Sequence, residues 1–431
     1  MANFETIRFE NLNEEMHVYT HKSGLKAFVI PKKGYSKKYA TFATHYGSIN
    51  NYFCPPDSVE KIREPDGIAH FLEHKLFEQK DGSVMDKFSA LGSSPNAYTS
   101  FSQTVYLFSC TDRFEDNFEL LLDFVQNPFI TEESVEKEKG IIGQEIKMYD
   151  DNPGWRSFFN LLKAFYEKNP VNIDIAGTVE SISKINRDVL YRCYNTFYNL
   201  SNMVILVVGD VDSNTVFDMV EKSMKQTEDM GEIERIFPEK ETKLNKSYIE
   251  QRLAVALPMF LMGFRDDAVM TKGIECLQRE VGVKILLEMI LGRSSALYNR
   301  LYSEGLINNS FEIDYTAEEN YAFSSIGGES KNPERVKELL VEEINKINRE
   351  GLDRKTFDRL KKSMQGRFLR GFNSVENVSH LFMSVYFKNV NIFDYVKVYD
   401  TISFEDVENI FGSHFNLDKL ALSVVLPYQG E

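Results

Sequence analysis

Cysteine is scarce in this 431-residue chain: Cys54, Cys110, Cys193 and Cys276 are four in all, and none forms a Cys-x-x-Cys pair. That excludes a disulfide scaffold and leaves no cysteine-based zinc cluster or dithiol redox motif. Long apolar runs are missing too. The longest, Leu253 to Phe264, contains Pro258 and is too short to span a bilayer. The opening residues, Met1-Ala-Asn-Phe-Glu-Thr-Ile-Arg-Phe-Glu, show neither the basic segment nor the apolar core of a secretion signal. The expectation is a cytoplasmic protein with reduced, mostly buried thiols and no membrane contact. Positive charge is also short, 50 Lys and Arg against 65 Asp and Glu, for a formal net charge of −15. This excess argues against nucleic acid as a partner. What remains is ordinary globular composition, 42% hydrophobic, in a chain long enough for two or three cores.

A charged stretch from Glu221 to Lys246, with Gly231 and Pro238 and few apolar residues, reads as a solvated linker with some helix. Met203-Val-Ile-Leu-Val-Val-Gly-Asp before it reads as a buried strand, and the run from Ala254 to Phe264 after it as another. The two flanking halves resemble one another at an offset of about 215 to 222 residues. Tyr106-Leu-Phe-Ser-Cys matches Tyr321-Ala-Phe-Ser-Ser, and Ile130-Thr-Glu-Glu-Ser matches Leu352-Asp-Arg-Lys-Thr, with Thr131 and Asp353 as helix N-caps. The expected fold is α+β and duplicated: two homologous domains, each an antiparallel sheet with helices on one face. Their expected limits are residues 1–225 and 247–431, joined by a linker over residues 226–246.

The chemistry-bearing segment is Gly67-Ile-Ala-His-Phe-Leu-Glu-His. On a helix, His70 and His74 at i and i+4 share one face and can reach a single ion at about 2.0–2.1 Å from each nitrogen. Glu73 stands beside them, where a carboxylate can take a proton from an activated water. The order His-x-x-Glu-His is the inverse of the commoner zinc-protease motif. A third protein ligand is needed to leave one position open. The best candidate lies on a helix predicted over Glu132 to Asp150, whose Val135, Ile141, Ile142 and Met148 would face the core. Glu138 and Glu145, two turns apart, fall near the stripe of Ile142. A carboxylate there is costly unless paired or bound to a cation. Glu145 as ligand and Glu138 as the acceptor that orients a histidine would answer that cost; both standing solvated is the alternative. His17, His21, His45, His380 and His414 show no ligand spacing.

His70-Phe-Leu-Glu-His74 with Glu138 and Glu145 resembles the pitrilysin/insulinase family of zinc peptidases. Asn96-Ala-Tyr-Thr, Ile175-Ala-Gly-Thr-Val-Glu-Ser-Ile, Val207-Val-Gly-Asp and Leu291-Gly-Arg-Ser-Ser-Ala-Leu-Tyr-Asn-Arg-Leu extend the resemblance along the chain. It implies the shorter, dimeric, processing-peptidase-like branch. It further implies one Zn2+ per chain on His70, His74 and Glu145, with Glu73 as general base and Glu138 supporting the ligands. Asn96, Ala97 and Tyr98 would belong to an edge strand that pairs with an extended peptide substrate. The activity implied is endopeptidase action on short or unfolded peptides, in a chamber between subunits or halves.

One departure stands out. The family's Arg and Tyr, seven residues apart, fall here on Arg300 and Ile307, and isoleucine cannot donate to an oxyanion. Arg300 acts alone, or Tyr302 substitutes, or a partner subunit, identical or paralogous, supplies the pair. A non-catalytic or partner-dependent structural subunit is the alternative function. In the second half, His70, Glu73 and His74 fall on Ile285, Glu288 and Met289, and Glu138 and Glu145 on Leu360 and Arg367. Metal is therefore expected in the first half alone.

Overall fold

The computed structural model describes residues 3–56, 58–268 and 273–428. The chain forms two compact units that alternate along the sequence. The first holds residues up to Ile146, Asp174–Phe237 and Gly371–Ser384; the second holds Lys147–Ile173, Pro238–Arg370 and the chain from Val385 onward. The junction at Phe237 and Pro238 falls inside the charged stretch.

The sheet of the first unit is built from β1 (Glu5–Phe9), β2 (Glu14–Thr20), β3 (Lys26–Pro31), β4 (Lys38–Thr44), β5 (Ser94–Thr99), β6 (Thr104–Cys110) and β7 (Met203–Gly209). Their spatial order is β1-β2-β3-β7-β4-β6-β5. The second unit uses β8 (Tyr248–Leu253), β9 (Met259–Phe264), β10 (Glu312–Ala317), β11 (Ala322–Glu329) and β12 (Leu420–Pro427), in the order β8-β12-β9-β11-β10. The five strands β3-β7-β4-β6-β5 and the five of the second unit follow one topology, which makes the duplication structural and not only a likeness of segments. Each sheet is antiparallel except for one pair, β3 with β7 and β8 with β12. These pairs are parallel because the last strand of each repeat enters the sheet interior after a long crossover, which a parallel neighbour requires. β7 is buried along its whole length, as its unbroken apolar run implies. The run Ala254 to Phe264 is a strand only from Met259, since Pro258 has no N–H for the ladder.

The helices that matter below are α1 (Ile68–Leu76), α2 (Phe114–Gln126), α3 (Glu132–Asp150), α4 (Pro153–Phe165), α5 (Ile274–Leu291), α6 (Ala296–Ser303), α7 (Pro333–Glu350), α8 (Arg354–Gly371) and α9 (Val375–Tyr386). Apolar rings on α2 pack on one face of the first sheet, where Phe124 meets Tyr106 edge-on. Phe28, Tyr39 and Tyr98 point to the opposite face and meet Phe382 and His380 of α9. Conversely, α4 packs on the second sheet, where Asn160 donates to Gln251 at 2.8 Å and Phe165 meets Phe323.

A buried polar cluster ties the second unit together. Asp266 accepts from Arg279 Nε and Nη2, both at 2.7 Å, from the Tyr315 hydroxyl at 2.7 Å and from His414 Nδ1 at 3.2 Å. His414 Nε2 lies 3.0 Å from Ser324 Oγ. Burial alone would raise the Asp266 carboxyl, but the bonds from His414 and Arg279 hold it well below the usual carboxylate range. Removing one partner of a buried pair strands the others, so Asp266→Ala should cost about 3–5 kcal/mol of stability in urea unfolding. A loss under about 1 kcal/mol, the scale of an exposed pair, would show the cluster contributes little. The depressed carboxyl stabilises the fold above the ordinary carboxylate pKa, and that contribution is lost as pH falls. The parent should therefore lose stability in acid more steeply than Asp266→Ala.

Candidate metal centre

Two glycines fix where α1 begins. Gly67 has φ +90°, and a Cβ there would lie 2.4 Å from the Ala176 carbonyl oxygen. Gly177, at φ +74°, would place its Cβ 2.5 Å from the Asp66 carbonyl oxygen, which also accepts from Ser181 Oγ at 2.7 Å. The segments Gly67-Ile-Ala and Ile175-Ala-Gly-Thr are thus two sides of one close backbone approach that only glycine permits. One helical turn later, His70 and His74 sit on one face with ring centroids 4.6 Å apart.

The helix α3 supplies the opposing carboxylates. It starts where expected: Thr131 Oγ1 accepts from Ser134 N, and Ser134 Oγ accepts from Thr131 N, both at 3.1 Å. Its buried face is Val135, Glu138, Ile142 and Ile146. Ile141 and Met148, expected in the core, are 47% and 59% exposed. A 3.6-residue period cannot bury residues 141 and 142 on one stripe, and residue 142 follows from residues 135 and 138. Along that face, Glu145 Oε1 lies 3.7 Å from His70 Nε2, and Glu145 Oε2 lies 3.5 Å from His74 Nε2. Glu138 Oε1 accepts from His74 Nδ1 at 3.0 Å.

These distances suit a metal ion. One ligand atom from each of His70, His74 and Glu145 falls within 4.8 Å of the others. Ligands of a tetrahedral ion with bonds of about 2.0–2.1 Å stand about 3.4 Å apart, close to the separations found. The Glu138 bond takes the Nδ1 proton of His74 and leaves Nε2 as a lone-pair donor. His70 Nδ1 is buried without a hydrogen-bond partner in the protein.

The charges agree with that arrangement. Burial, helped by neighbouring His74, pushes His70 down to about 4, so its imidazole is neutral and able to ligate. Burial also opposes a charged His74, but the Glu138 bond and the surrounding carboxylates carry it above its ordinary value. Glu138 is pulled up by burial and more than recovered by His74 and Lys75. Lys75, fully buried behind the site, pairs with Glu78 and lies 3.8 Å from Glu138 Oε2. Glu73 is raised, chiefly by burial, against the pull of a hydrogen bond from Thr99.

That bond links α1 to the sheet edge. Thr99 Oγ1 donates to Glu73 Oε2 at 2.6 Å. Thr99 ends β5, which among the described residues pairs only with β6 and so forms the edge of the sheet. Asn96, Ala97 and Tyr98 lie in this strand rather than in a turn after Pro95. Alternation puts Ala97 with Thr99 on the face of α1, and Asn96 with Tyr98 on the face where His380 sits. Neither Thr99 nor Lys75 was marked as functional by spacing. The only signal was negative in kind, a lysine inside an apolar helix and a threonine within Asn96-Ala-Tyr-Thr.

The second unit places Arg300 on α6, half exposed, with Nε 2.9 Å from Glu304 Oε1 and Nη1 3.6 Å from Glu342 Oε2. Ile307 is buried, and Tyr302 is exposed and stacked on Tyr298. The positions that repeat Glu73 and Glu145 meet again here, as an ion pair: Arg367 Nη2 donates to Glu288 Oε1 at 2.9 Å. Ile285 and Leu360 are buried beside them.

The duplicated α+β fold thus carries, on paired helices, a partly buried His–His–Glu group placed to hold a metal ion. Residues 58–179 match the profile described as insulinase (peptidase family M16), and residues 184–364 match the one described as peptidase M16 inactive domain. The chain is 42% identical to an uncharacterized zinc protease, YmfH, of Bacillus subtilis, over 98% of this chain and 99% of that one. A crystal structure of an M16-like peptidase from Alicyclobacillus acidocaldarius superposes with a TM-score of 0.92 at 33% identity, covering 99% of each chain. Pitrilysin shares the fold, with a TM-score of 0.78 at 16% identity, but this chain covers 47% of its length. The chain belongs to the insulinase family, peptidase family M16, in its short form.

Replacing Thr99 by Val removes the hydroxyl that holds Glu73 Oε2, so the Glu73 carboxyl should titrate higher still in the metal-free protein. Carbon-detected NMR of labelled glutamate reads this directly, and an unmoved midpoint would show that the bond does not form in solution.

Proposed function

We propose that the chain is a zinc-dependent endopeptidase acting on extended peptides, with His70, His74 and Glu145 holding one Zn2+ per chain. The observation that supports it is the convergence of those three ligand atoms beside a carboxyl, Glu73, that shares the helix face of the two histidines. Zinc bound there would supply the Lewis acidity that makes water a nucleophile near neutral pH. Glu73 is the general base: burial raises its proton affinity, and Thr99 holds one of its oxygens by a hydrogen bond. Glu138 fixes the tautomer of His74. A peptide laid along β5 would bind by main-chain hydrogen bonds, with its side chains alternating between the α1 face and the face of Tyr98 and His380. The four cysteines are free and buried, which favours a reducing compartment such as the cytoplasm. Among the described residues no helix is long and apolar enough to cross a membrane.

A second reading, a subunit that needs an identical or paralogous partner for turnover, is favoured by one observation. Arg300 already has carboxylate partners in Glu304 and Glu342, and Ile307 is buried and apolar. In that reading the oxyanion donors come from elsewhere. The mass of the native assembly, and activity with and without the copurifying chain, separates the two.

Glu73→Gln should bind zinc with parent stoichiometry yet lose peptide hydrolysis by about 10²–10⁴-fold, the usual worth of a general base. Hydrolysis near the parent rate would remove Glu73 from that role. His70→Ala and Glu145→Ala should each lose the ion itself, read as metal content after gel filtration, whereas Glu288→Gln in the second unit should leave it unchanged. Retained zinc in both ligand variants would overturn the assignment.

A further inference from the structure

Lys75 directly follows the second histidine of the metal centre, and its side chain has no exposed surface. Lysine is almost never fully buried unless it is paired, because its ammonium loses all of its hydration. A helix that needed only to pack at this position would carry an apolar residue, as it does at Leu76. The buried ammonium therefore calls for an account that packing does not give.

Its partners supply one. Nζ donates to Glu78 Oε2 and to the Ser134 carbonyl oxygen, the latter at 3.3 Å, and lies 3.8 Å from Glu138 Oε2. Glu78 follows α1 and is partly exposed. Ser134 and Glu138 stand one turn apart on the buried face of α3. The lysine thus reaches from the helix of the histidines to the helix of the carboxylates, and arrives at the residue that orients His74. Glu138 is held at both ends of its carboxylate: Oε1 accepts from His74 Nδ1 at 3.0 Å, and Oε2 faces Lys75. The terminal torsion of a glutamate is broad and nearly twofold, so one partner alone leaves the carboxylate free to swing. A second, charged partner fixes its plane.

The repeat adds an independent observation. At the offset that puts His70 on Ile285, Lys75 falls on Ile290, and Glu138 falls on Leu360. Both are buried. Lysine and carboxylate disappear together where the histidines disappear, although two helices still pack on a sheet there. The lysine therefore goes with the metal ligands and not with the fold.

We propose that Lys75 is a positioning residue of the metal centre: its ammonium fixes the Glu138 carboxylate, and through it the His74 ring, in the orientation that presents Nε2 to the ion. This role rests on the reading that His70, His74 and Glu145 hold zinc, and it is exerted through Glu138 and not on ion or substrate directly. Charge and position make opposite forecasts. A cation beside the site repels zinc, so by charge alone Lys75→Met would bind it more tightly. By position the same variant binds it more weakly.

The test measures zinc affinity of the full chain at fixed pH, by competition with a chromophoric chelator, in the parent, Lys75→Met, Glu138→Gln and the double variant. Lys75→Met should weaken zinc about tenfold, the lower end of what partners of metal ligands contribute. In the Glu138→Gln background the same substitution should add little, because its effect passes through that carboxylate. In zinc-loaded protein with isotope-labelled histidine, the His74 Nδ1 proton should be sharp and downfield in the parent and broadened by exchange with water in Lys75→Met. If Lys75→Met melts early, Lys75→Gln, which keeps a donor but loses the charge, replaces it and should weaken zinc in the same direction. Zinc bound by these variants as tightly as by the parent or more so overturns the proposal, as does a loss that is undiminished in Glu138→Gln or an unchanged His74 proton. A parent that binds no zinc would remove the proposed function together with this role, whereas a parent that binds zinc with Lys75 variants equal to it would remove this role alone.

Discussion

The first unit is organised by the burial of ionisable groups that cannot satisfy one another unaided. Glu73, Glu138 and His70 are buried, and His70 Nδ1 has no protein partner. Removing such groups from water costs several kcal/mol each unless hydrogen bonds or a cation compensate. Every local device around the site limits that cost. Thr99 and His74 each take one carboxylate, Lys75 balances Glu138 from behind, and the remaining lone pairs converge on one point. The glycine contact between residues 67 and 177 fixes where α1 begins, and the cap at Thr131 fixes where α3 begins. A site of this kind is expensive for stability, and its three ligand atoms, within 4.8 Å of one another, are placed to hold a metal ion, which is how it resembles a functional centre rather than a structural ion-pair network.

The repeat shows the same backbone solving the opposite problem. The second sheet has the strand order of the first, and the positions of Glu73 and Glu145 still meet across α5 and α8. There, Arg367 in place of the third ligand lets Glu288 be satisfied by one direct bond, and Ile285 and Leu360 fill the volume of the other polar groups. No cation is then needed. The comparison separates what the fold dictates, two helix faces brought together over a sheet edge, from what individual side chains make of it.

Helical periodicity made much of this legible from sequence. His70, Glu73 and His74 share a face by spacing alone, and Thr131 and Asp353 cap the helices that follow them, the latter accepting from Thr356 N at 2.7 Å. The failures also have physical causes. Ile141 and Met148 read as core because they are apolar, yet the stripe set by Val135 and Ile142 excludes them. A strand run across Pro258 fails for want of a donor. The parallel pairs and the packing of α4 and α9 depend on which sheet a helix finally covers, and no local signal records that. Thr99 and the Asp266 cluster were silent for a related reason: their partners are 13 to 148 residues away, and a single polar residue in a strand or loop carries no periodicity.

The net charge of −15 also changes meaning once it is distributed. An acidic chain should repel acidic ligands, but a field at a site is set by charges within about 8–10 Å at physiological salt. Counted whole, α3 carries six acids against three bases and α8 seven bases against one acid, whereas a cavity beside α8 is lined by Arg293, Arg359 and Arg367 against Glu288, Glu312 and Asp314. Global charge therefore governs solubility and long-range approach, whereas each unit's own helix decides what it can hold. A duplicated fold can therefore bring three ligand atoms together at one helix crossing and a direct Arg367–Glu288 ion pair at the equivalent one without any change in backbone topology.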